Sequence, residues 1–104
     1  MRRLKNNIVK ALERILQVPF VVSQKSTRIY AMGYNPKKME LYIVFNRDFE
    51  IYKYTCVPED SWKTLKSCES QNKSLGKSFQ ELVIKPQYSY VRCELSSSSP
   101  NNEK

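Results

Sequence analysis

The sequence predicts an α+β fold, a small antiparallel meander of three to four strands packed with two or three short helices. The chain has 104 residues, of which 40% are hydrophobic and 12% aromatic, and this suffices for one modest core. Residues 26–55 alternate apolar and polar side chains between short turns, which is typical of antiparallel strands. The segments on either side repeat apolar residues every three or four positions, which indicates helices.

The first predicted element is an amphipathic helix over 3–17, in an N-terminal basic segment that we bound at 1–18. At about 100° per residue, one side of this helix collects apolar residues, namely Leu4, Ile8, Ala11, Leu12, Ile15 and Leu16. The opposite side collects Arg3, Lys10 and Arg14. Pro19 ends the helix because its ring cannot continue helical geometry. We interpret the basic side as the solvated face of a core-packing helix, and contact with phosphate or anionic lipid is the alternative.

The α+β domain itself is expected over 22–93. Its predicted strands are 26–34, 39–45 and 49–55, joined by turn residues at 35–38 and 46–48. Asn and Asp in these connections tolerate the backbone angles that hairpins need. The short connections therefore predict that consecutive strands pair as neighbours.

After the third strand the apolar period changes from two to three or four. Pro58 suits a first helical position and Glu59 a helix N-terminus, so a helix is predicted over 58–69. We interpret Gly76 as a cap or turn that needs positive φ. Residues 77–84 allow either helix or extended chain, and the segment from Gln87 alternates like a strand. The polar residues 96–104 are expected to form a disordered tail.

The composition argues against catalysis and against a metal site. The chain has no histidine, which removes the usual general base and the commonest metal ligand. Cys56, Cys68 and Cys93 are widely spaced, form no metal-binding pair and are expected to be reduced and at least partly buried. No apolar run approaches the roughly 20 residues that span a bilayer. We therefore predict a cytoplasmic protein that is not an enzyme and needs neither metal nor cofactor.

The net charge of +8 indicates attraction to polyanions. RNA, DNA and anionic membranes are all polyanionic partners, and an acidic protein is another. A membrane is the less favoured partner, because the apolar side of the predicted first helix has neither Trp nor Phe. The oligomeric state stays open.

Residues 26 to about 90 resemble the KTSC domain, a module found at the C-terminus of some lysyl-tRNA synthetases and as a stand-alone small bacterial protein. The resemblance rests on the order and spacing of short motifs, which are "IYAMGYNPKKMELYIVF" at 29–45, the Y-x-Y of Tyr52 and Tyr54, Val57-Pro58, Trp62 with Leu65, "SLGKSF" at 74–79 and "IKPQY" at 84–88. Gln80 and Pro86 depart from the family pattern. The resemblance implies RNA binding, which the synthetase context suggests for the family.

The candidate binding site centres on Tyr52 and Tyr54. Side chains two apart on a strand share a face, so these rings could form a platform for stacked bases. The alternative, which we favour, is that they pack against the helix carrying Trp62. The full set of candidate nucleic-acid-binding residues is Tyr52, Tyr54, Arg28, Lys73, Lys77, Lys85, Tyr88, Tyr90, Arg3, Lys10 and Arg14.

Two functions follow as hypotheses. The first is a small binding module that holds RNA or single-stranded nucleic acid on a basic, aromatic face. The second is a protein–protein interaction module, an accessory or regulatory protein of the kind that phages or mobile elements encode, which recognises an acidic partner by charge complementarity.

Overall fold

The computed structural model describes residues 2–47 and 50–93, with side chains from Val9 onward. The predicted tail at 96–104 lies outside the described residues. The elements in chain order are α1 (Arg2–Leu16), β1 (Phe20–Val22), β2 (Ile29–Asn35), β3 (Glu40–Phe45), β4 (Ile51–Tyr54), α2 (Glu59–Ser67), α3 (Leu75–Phe79), a π-helical turn (Gln80–Ile84) and β5 (Tyr90–Cys93).

The strands form one antiparallel sheet in the order β1-β2-β3-β4-β5, each paired with its neighbour in sequence. The α+β class and the meander are therefore confirmed, and the strand count is one higher than the predicted upper bound. The additional strand is β1, whose three residues are too few to show an alternating pattern.

A β-bulge in β2 adjusts which side chains reach each face of the sheet. Ile29 pairs with Phe45 and Ala31 with Val44, so Tyr30 is the extra residue between them. Tyr30 and Ala31 consequently lie in the same core cluster, although they are adjacent in the strand. Both are buried.

Helices cover both faces of the sheet. α1 packs on one face through Val9 and Leu12, which join a buried cluster with Tyr42, Val44 and Ile51. Two residues on the predicted apolar side of α1 face solvent, namely Ala11, which is exposed, and Ile15, which is 57% exposed. The side of the helix that contacts the sheet instead includes Val9.

The other face is covered by α2, α3 and the π-helical turn. Trp62 and Leu65 of α2 are buried there, which confirms the helix predicted from Pro58. The Trp62 ring stacks on Tyr34 of β2 at 5.7 Å between centroids. The Tyr34 hydroxyl donates a hydrogen bond to the Val57 carbonyl at 2.5 Å, which ties the start of α2 to the sheet.

The segment around Gly76 differs from its prediction. Gly76 is the second residue of α3, and neither glycine of the chain has positive φ. Ser74 caps the helix instead, because its hydroxyl accepts a hydrogen bond from the Lys77 amide at 3.2 Å. The undecided stretch after Gly76 is helical as far as Ile84.

The cysteines are unpaired, with Cys68 buried, Cys93 half-buried and Cys56 exposed. The expectation of burial is therefore wrong for Cys56, which lies in the connection from β4 to α2 with φ at 62°. Within residues 2–47 and 50–93, no helix combines the length and apolarity that crossing a membrane requires.

Candidate nucleic-acid interface

Three adjoining depressions run along one side of the domain, beside α3 and the π-helical turn. The first, here called the basic cleft, has a volume of about 470 Å³ and is lined by Lys25, Ser26, Thr27, Arg28, Glu69, Lys73, Ser74, Leu75, Gly76, Lys77 and Gln80. The second, the aromatic cleft, has a volume of about 690 Å³ and is lined by Thr27, Arg28, Phe45, Arg47, Glu50, Tyr52, Tyr54, Ile84 and Tyr90. The third, of about 550 Å³, adds Val83, Gln87, Tyr88 and Ser89 to Tyr54, Ile84 and Tyr90.

Shared residues join these depressions into one groove. Thr27 and Arg28 line both the basic and the aromatic cleft. Tyr54, Ile84 and Tyr90 line both the aromatic cleft and the third depression. A ligand can therefore contact cations at one end of the groove and aromatic rings further along it.

Glu69 fixes the wall of the basic cleft that carries Lys25 and Arg28. Its carboxylate accepts hydrogen bonds from the Ser23 hydroxyl, from the Gln24 amide at 3.1 Å and from the Lys25 amide at 3.0 Å. Burial alone would raise the pKa of Glu69, but these hydrogen bonds together lower it. Glu69 is therefore an ionised anchor that joins the loop before β2 to the end of α2.

Further hydrogen bonds hold the same wall in place. The Ser26 hydroxyl accepts from the Arg28 amide at 3.1 Å and from the Ile29 amide at 3.0 Å. The Asn46 side-chain amide donates to the Ser26 carbonyl at 3.3 Å, and the Asn46 backbone amide donates to the Arg28 carbonyl at 2.9 Å. The backbone that presents Arg28 is thus fixed before any ligand arrives.

The Lys25 ammonium connects the loop before β2 to the turn that follows α2. It donates to the Glu69 carbonyl at 3.2 Å and to the Asn72 side-chain oxygen at 3.3 Å. Both acceptors are neutral, so these bonds position the charge without neutralising it.

The basic cleft has a strong excess of positive charge. It is lined by Lys25, Arg28, Lys73 and Lys77, all exposed, and by one carboxylate, that of Glu69. None of these four cations forms an ion pair with a carboxylate in the described parts of the chain. The cleft is therefore electrostatically suited to an anionic group.

The aromatic cleft is built from rings that also stabilise the core. Tyr54 is only 5% exposed and meets Phe79 edge-on at 5.6 Å between centroids. Tyr52 is half-buried and meets Phe45 edge-on at 5.6 Å. Tyr54 is therefore packed in the core, as the favoured interpretation expected, but its edge-on ring contact is with Phe79 of α3 and not with the helix that carries Trp62.

Tyr90 is the exposed ring of this cleft. It is 58% exposed, and its ring contacts the rings of Tyr54, at 5.2 Å between centroids, and Tyr52, at 5.6 Å. Because Tyr90 pairs with Tyr54 across β4 and β5, it presents a ring that the strand pairing holds at the mouth of the cleft.

Hydrogen bonding and burial raise the pKa of both tyrosines of β4 above the ordinary tyrosine value, which itself lies well above neutral pH. A hydrogen bond to Glu50, at 3.2 Å from the Tyr52 hydroxyl, raises the pKa of Tyr52. Burial raises the pKa of Tyr54 to about 12, with smaller contributions from Tyr90 and Tyr52. Both side chains are therefore uncharged at neutral pH, so they do not repel an anionic ligand.

The carboxylate at the aromatic cleft is also engaged. Glu50 contacts the guanidinium of Arg92 at 3.5 Å, in addition to accepting the Tyr52 hydroxyl. Arg47 and Arg28 are the other charged residues that line this cleft. The aromatic cleft thus shares the positive character of the basic cleft.

Most of the candidate residues predicted from sequence meet in this groove. The structure brings together Arg28, Lys73, Lys77, Tyr52, Tyr54, Tyr88 and Tyr90. Lys85 is exposed beside the groove and pairs with Glu81 at 3.5 Å, one helical turn away. Lys10 and Arg14 are exposed on α1, which covers the opposite face of the sheet. Arg3 also belongs to α1, but its side chain lies outside the described residues.

Among the basic and aromatic residues that line the groove, sequence reasoning missed three: Lys25, Phe45 and Arg47. Lys25 and Arg47 lie in loops, where no periodic pattern assigns a direction to a side chain. The spacing of Phe45 puts it on one strand face with Leu41 and Ile43, and this pattern does not distinguish a groove residue from a core residue. The hairpin turn predicted at 46–48 was the one available signal, because it places Arg47 near the end of the sheet that also carries Arg28.

Comparisons with known proteins locate this groove in a recognised module. A family model described as the KTSC domain matches residues 25–88. The crystal structure of a KTSC domain protein from Yersinia pestis is similar, with a TM-score of 0.62 and 27% sequence identity over 74% of this chain and 99% of that chain. No curated protein matches. The resemblance predicted from the motifs is confirmed, and the match includes every lining residue of the groove except Ser89 and Tyr90.

Proposed function

The chain belongs to the KTSC family, and we propose that it is a non-enzymatic binding module that holds single-stranded nucleic acid, RNA above all, in the groove formed by its basic and aromatic clefts. The observation that supports this most directly is the continuity of the two clefts through Arg28. One arginine lies where a phosphate and the base beside it would both be in reach. We further propose a cytoplasmic location, where unpaired cysteines such as Cys56 and Cys68 stay reduced.

The groove offers the two interactions that single strands need. Lysines and arginines attract the phosphates and release counterions, and this supplies affinity without sequence preference. Aromatic rings stack on bases, which contributes about 1–3 kcal/mol for each stacked base. Tyr90 is the ring with the exposed surface for such stacking, and Tyr52 supports it from below.

A single strand fits this arrangement better than a duplex. A base must leave its stack to enter a cleft between Phe45, Ile84 and Tyr90. Duplex recognition would instead need cations spread over a broad surface, whereas Lys73, Lys77 and Arg28 converge on one depression. We therefore expect weaker binding to double-stranded RNA of the same length.

Binding without catalysis fits the chemistry of the groove. The chain has no histidine, and the two carboxylates in the groove, Glu50 and Glu69, are occupied by hydrogen bonds. Glu69 is a poor acceptor for a proton from a bound substrate, since hydrogen bonds that favour its ionised form lower its pKa.

Fluorescence anisotropy with a labelled eight-nucleotide RNA at low salt tests the proposal. We expect micromolar or tighter binding by the unmodified protein, and a loss of about tenfold for Tyr90→Ala, as for one lost stacking contact. We expect a similar loss for Arg28→Ala. The matched control is Lys10→Ala, which removes an exposed cation from the other face. Affinity weaker than millimolar, or equal affinities for all three variants, would refute the proposal.

A protein partner with an acidic surface is the second candidate function, and an exposed apolar side chain next to the cations favours it. Ile84 is 38% exposed and lines the aromatic cleft together with Arg28 and Arg47, and apolar side chains of this kind commonly lie in protein interfaces. Affinity capture from lysate with and without RNase separates the two functions. A defined acidic protein that binds in both samples, and binds again after purification, would favour this candidate.

A further inference from the structure

We infer that the basic cleft recognises the terminal phosphate of a strand, a phosphomonoester at one end and not a phosphodiester within the chain. This inference rests on the proposed function and specifies the part of the nucleic acid that the site binds. The charge of the cleft, the hydrogen bonds at one of its flanks and its position beside the aromatic cleft support it.

The number of cations in the basic cleft exceeds what an internal phosphate requires. An internal phosphodiester carries one negative charge, whereas a terminal phosphomonoester carries about −1.5 to −2 at pH 7 and has three terminal oxygens. Four cations line one depression of about 470 Å³. Two of them, Lys25 and Arg28, come from a wall whose backbone is fixed by hydrogen bonds. Convergence of this kind favours the group with the higher charge.

The carboxylate in the cleft does not cancel this preference. Glu69 lines the cleft, but its oxygens accept hydrogen bonds from Ser23, Gln24 and Lys25. Its negative charge is therefore directed at the loop that it anchors. Lys73 and Lys77 have no ion-pair partner among the carboxylates that the structure describes.

At one flank of the basic cleft, hydrogen bonds of the Lys25 ammonium connect two of the segments that line it. The Lys25 ammonium bridges to the Glu69 carbonyl and to the Asn72 side chain, and so links the loop before β2 to the end of α2. On its other flank the cleft continues through Thr27 and Arg28 into the aromatic cleft. A strand that lies in the aromatic cleft would consequently end in the basic cleft.

The two clefts adjoin at Arg28, as the binding of the phosphate and the base of one nucleotide would require. Arg28 lines both clefts, so a phosphate bound in the basic cleft would lie beside a nucleotide base bound in the aromatic cleft. The base of the terminal nucleotide then reaches Tyr90, which is exposed at the mouth of that cleft. The shared chemistry is a terminal phosphate followed by an unstacked base, and either end of a strand can provide it.

Anisotropy with four RNAs that carry an internal label tests this inference. Three are eight-nucleotide RNAs of one sequence, with a 5′-phosphate, with a 3′-phosphate or with neither. The fourth is unphosphorylated and one nucleotide longer, so it gains charge without gaining a terminal phosphate. We expect one of the two phosphorylated RNAs to bind at least tenfold more tightly than both unphosphorylated ones. The position of the phosphate in the tighter-binding RNA, 5′ or 3′, identifies the polarity of the bound strand.

The same comparison is repeated with Lys73→Ala/Lys77→Ala and with Lys37→Ala/Lys38→Ala. The second pair removes equal charge from the exposed turn between β2 and β3. We expect the preference for the terminal phosphate to disappear in the first variant and to persist in the control. Equal binding of all four RNAs by the unmodified protein would overturn the inference and leave the proposed function intact. Absence of binding to every RNA would overturn both.

Discussion

The salt dependence of RNA binding is the sharpest quantitative test of the groove. Five cations line its two clefts, namely Lys25, Arg28, Arg47, Lys73 and Lys77. The Lys73→Ala/Lys77→Ala variant removes two of them. Both side chains are exposed, so the fold is expected to tolerate the change.

The expected magnitude follows from counterion release. For single strands the logarithm of the binding constant falls with the logarithm of salt concentration with a slope of about −0.7 per neutralised phosphate. Because one cation neutralises at most one phosphate charge, five cations give a slope no steeper than about −3.5, and three give one no steeper than about −2.1. Between 50 and 200 mM salt, the unmodified protein should therefore lose affinity by up to about 100-fold and the double variant by up to about 20-fold.

The assay is anisotropy with one eight-nucleotide RNA at five or more salt concentrations. Lys37→Ala/Lys38→Ala is the control, because it lowers the net charge equally at a turn that does not line the clefts. A slope that is unchanged in Lys73→Ala/Lys77→Ala would refute the assignment of the phosphates to the basic cleft. An equal fall in both variants would show that binding follows net charge and not the groove.

Two further predictions concern the scaffold that positions the groove. In Gly33→Ala the new Cβ would lie 2.8 Å from Cε1 of Phe20 on β1, so we expect urea denaturation to show that the free energy of unfolding falls by about 1–3 kcal/mol. In Gly76→Ala the new Cβ meets only the Ser74 hydroxyl, at 4.0 Å, so this change should be neutral or stabilising by up to about 1 kcal/mol. Equal stabilities of the two variants would contradict this expectation. Burial raises the pKa of Tyr54 in the folded protein to about 12, whereas its pKa in the unfolded chain is about 10. The contribution of the neutral Tyr54 side chain to stability is therefore fully present below about pH 10 and is lost as the pH rises from the unfolded pKa through the folded pKa. Between pH 9 and pH 11.5 the unmodified protein should therefore lose about 2 kcal/mol more stability than Tyr54→Phe, and parallel losses would exclude this origin.

Local patterns were sufficient to predict the elements that begin and end at strong signals. Pro58, which is followed by two acidic residues, predicted the start of α2, and Pro19 predicted the end of α1. The strands β2, β3 and β4 were found because their alternation runs for several residues. These features depend on neighbours in sequence, which is why the sequence alone determines them.

Other features depend on contacts between distant segments. The bulge that puts Tyr30 and Ala31 in one cluster is set by the pairing of β2 with β3. The rotation of α1 that exposes Ile15 is set by the sheet face on which it packs. Gly76 looked like a cap from its sequence context, and Ser74 takes that role because its hydroxyl reaches the Lys77 amide.

The candidate site was predicted in part for the same reason. Tyr52 and Tyr54 share a face, as their spacing requires, but the sequence does not say that Phe79 closes over one of them. The convergence of Arg28 with Lys73 and Lys77 is a property of the tertiary fold, because the residues lie more than forty positions apart. The anchor that produces it, Glu69, looked like an ordinary residue at a helix end.

The coverage of both sheet faces explains why the candidate site is a groove beside α3 and not an open sheet face. α1 buries the face that carries Tyr42, Val44 and Ile51, and it lies outside the matched residues 25–88. If nucleic acid bound that face, α1 would have to leave it and expose apolar side chains to water, at a cost of about 25 cal/mol per Å². The groove needs no such rearrangement, because its cations are exposed already. The helix is therefore best understood as a cover for the sheet, and its own cations, Lys10 and Arg14, should contribute little to a slope that the groove determines.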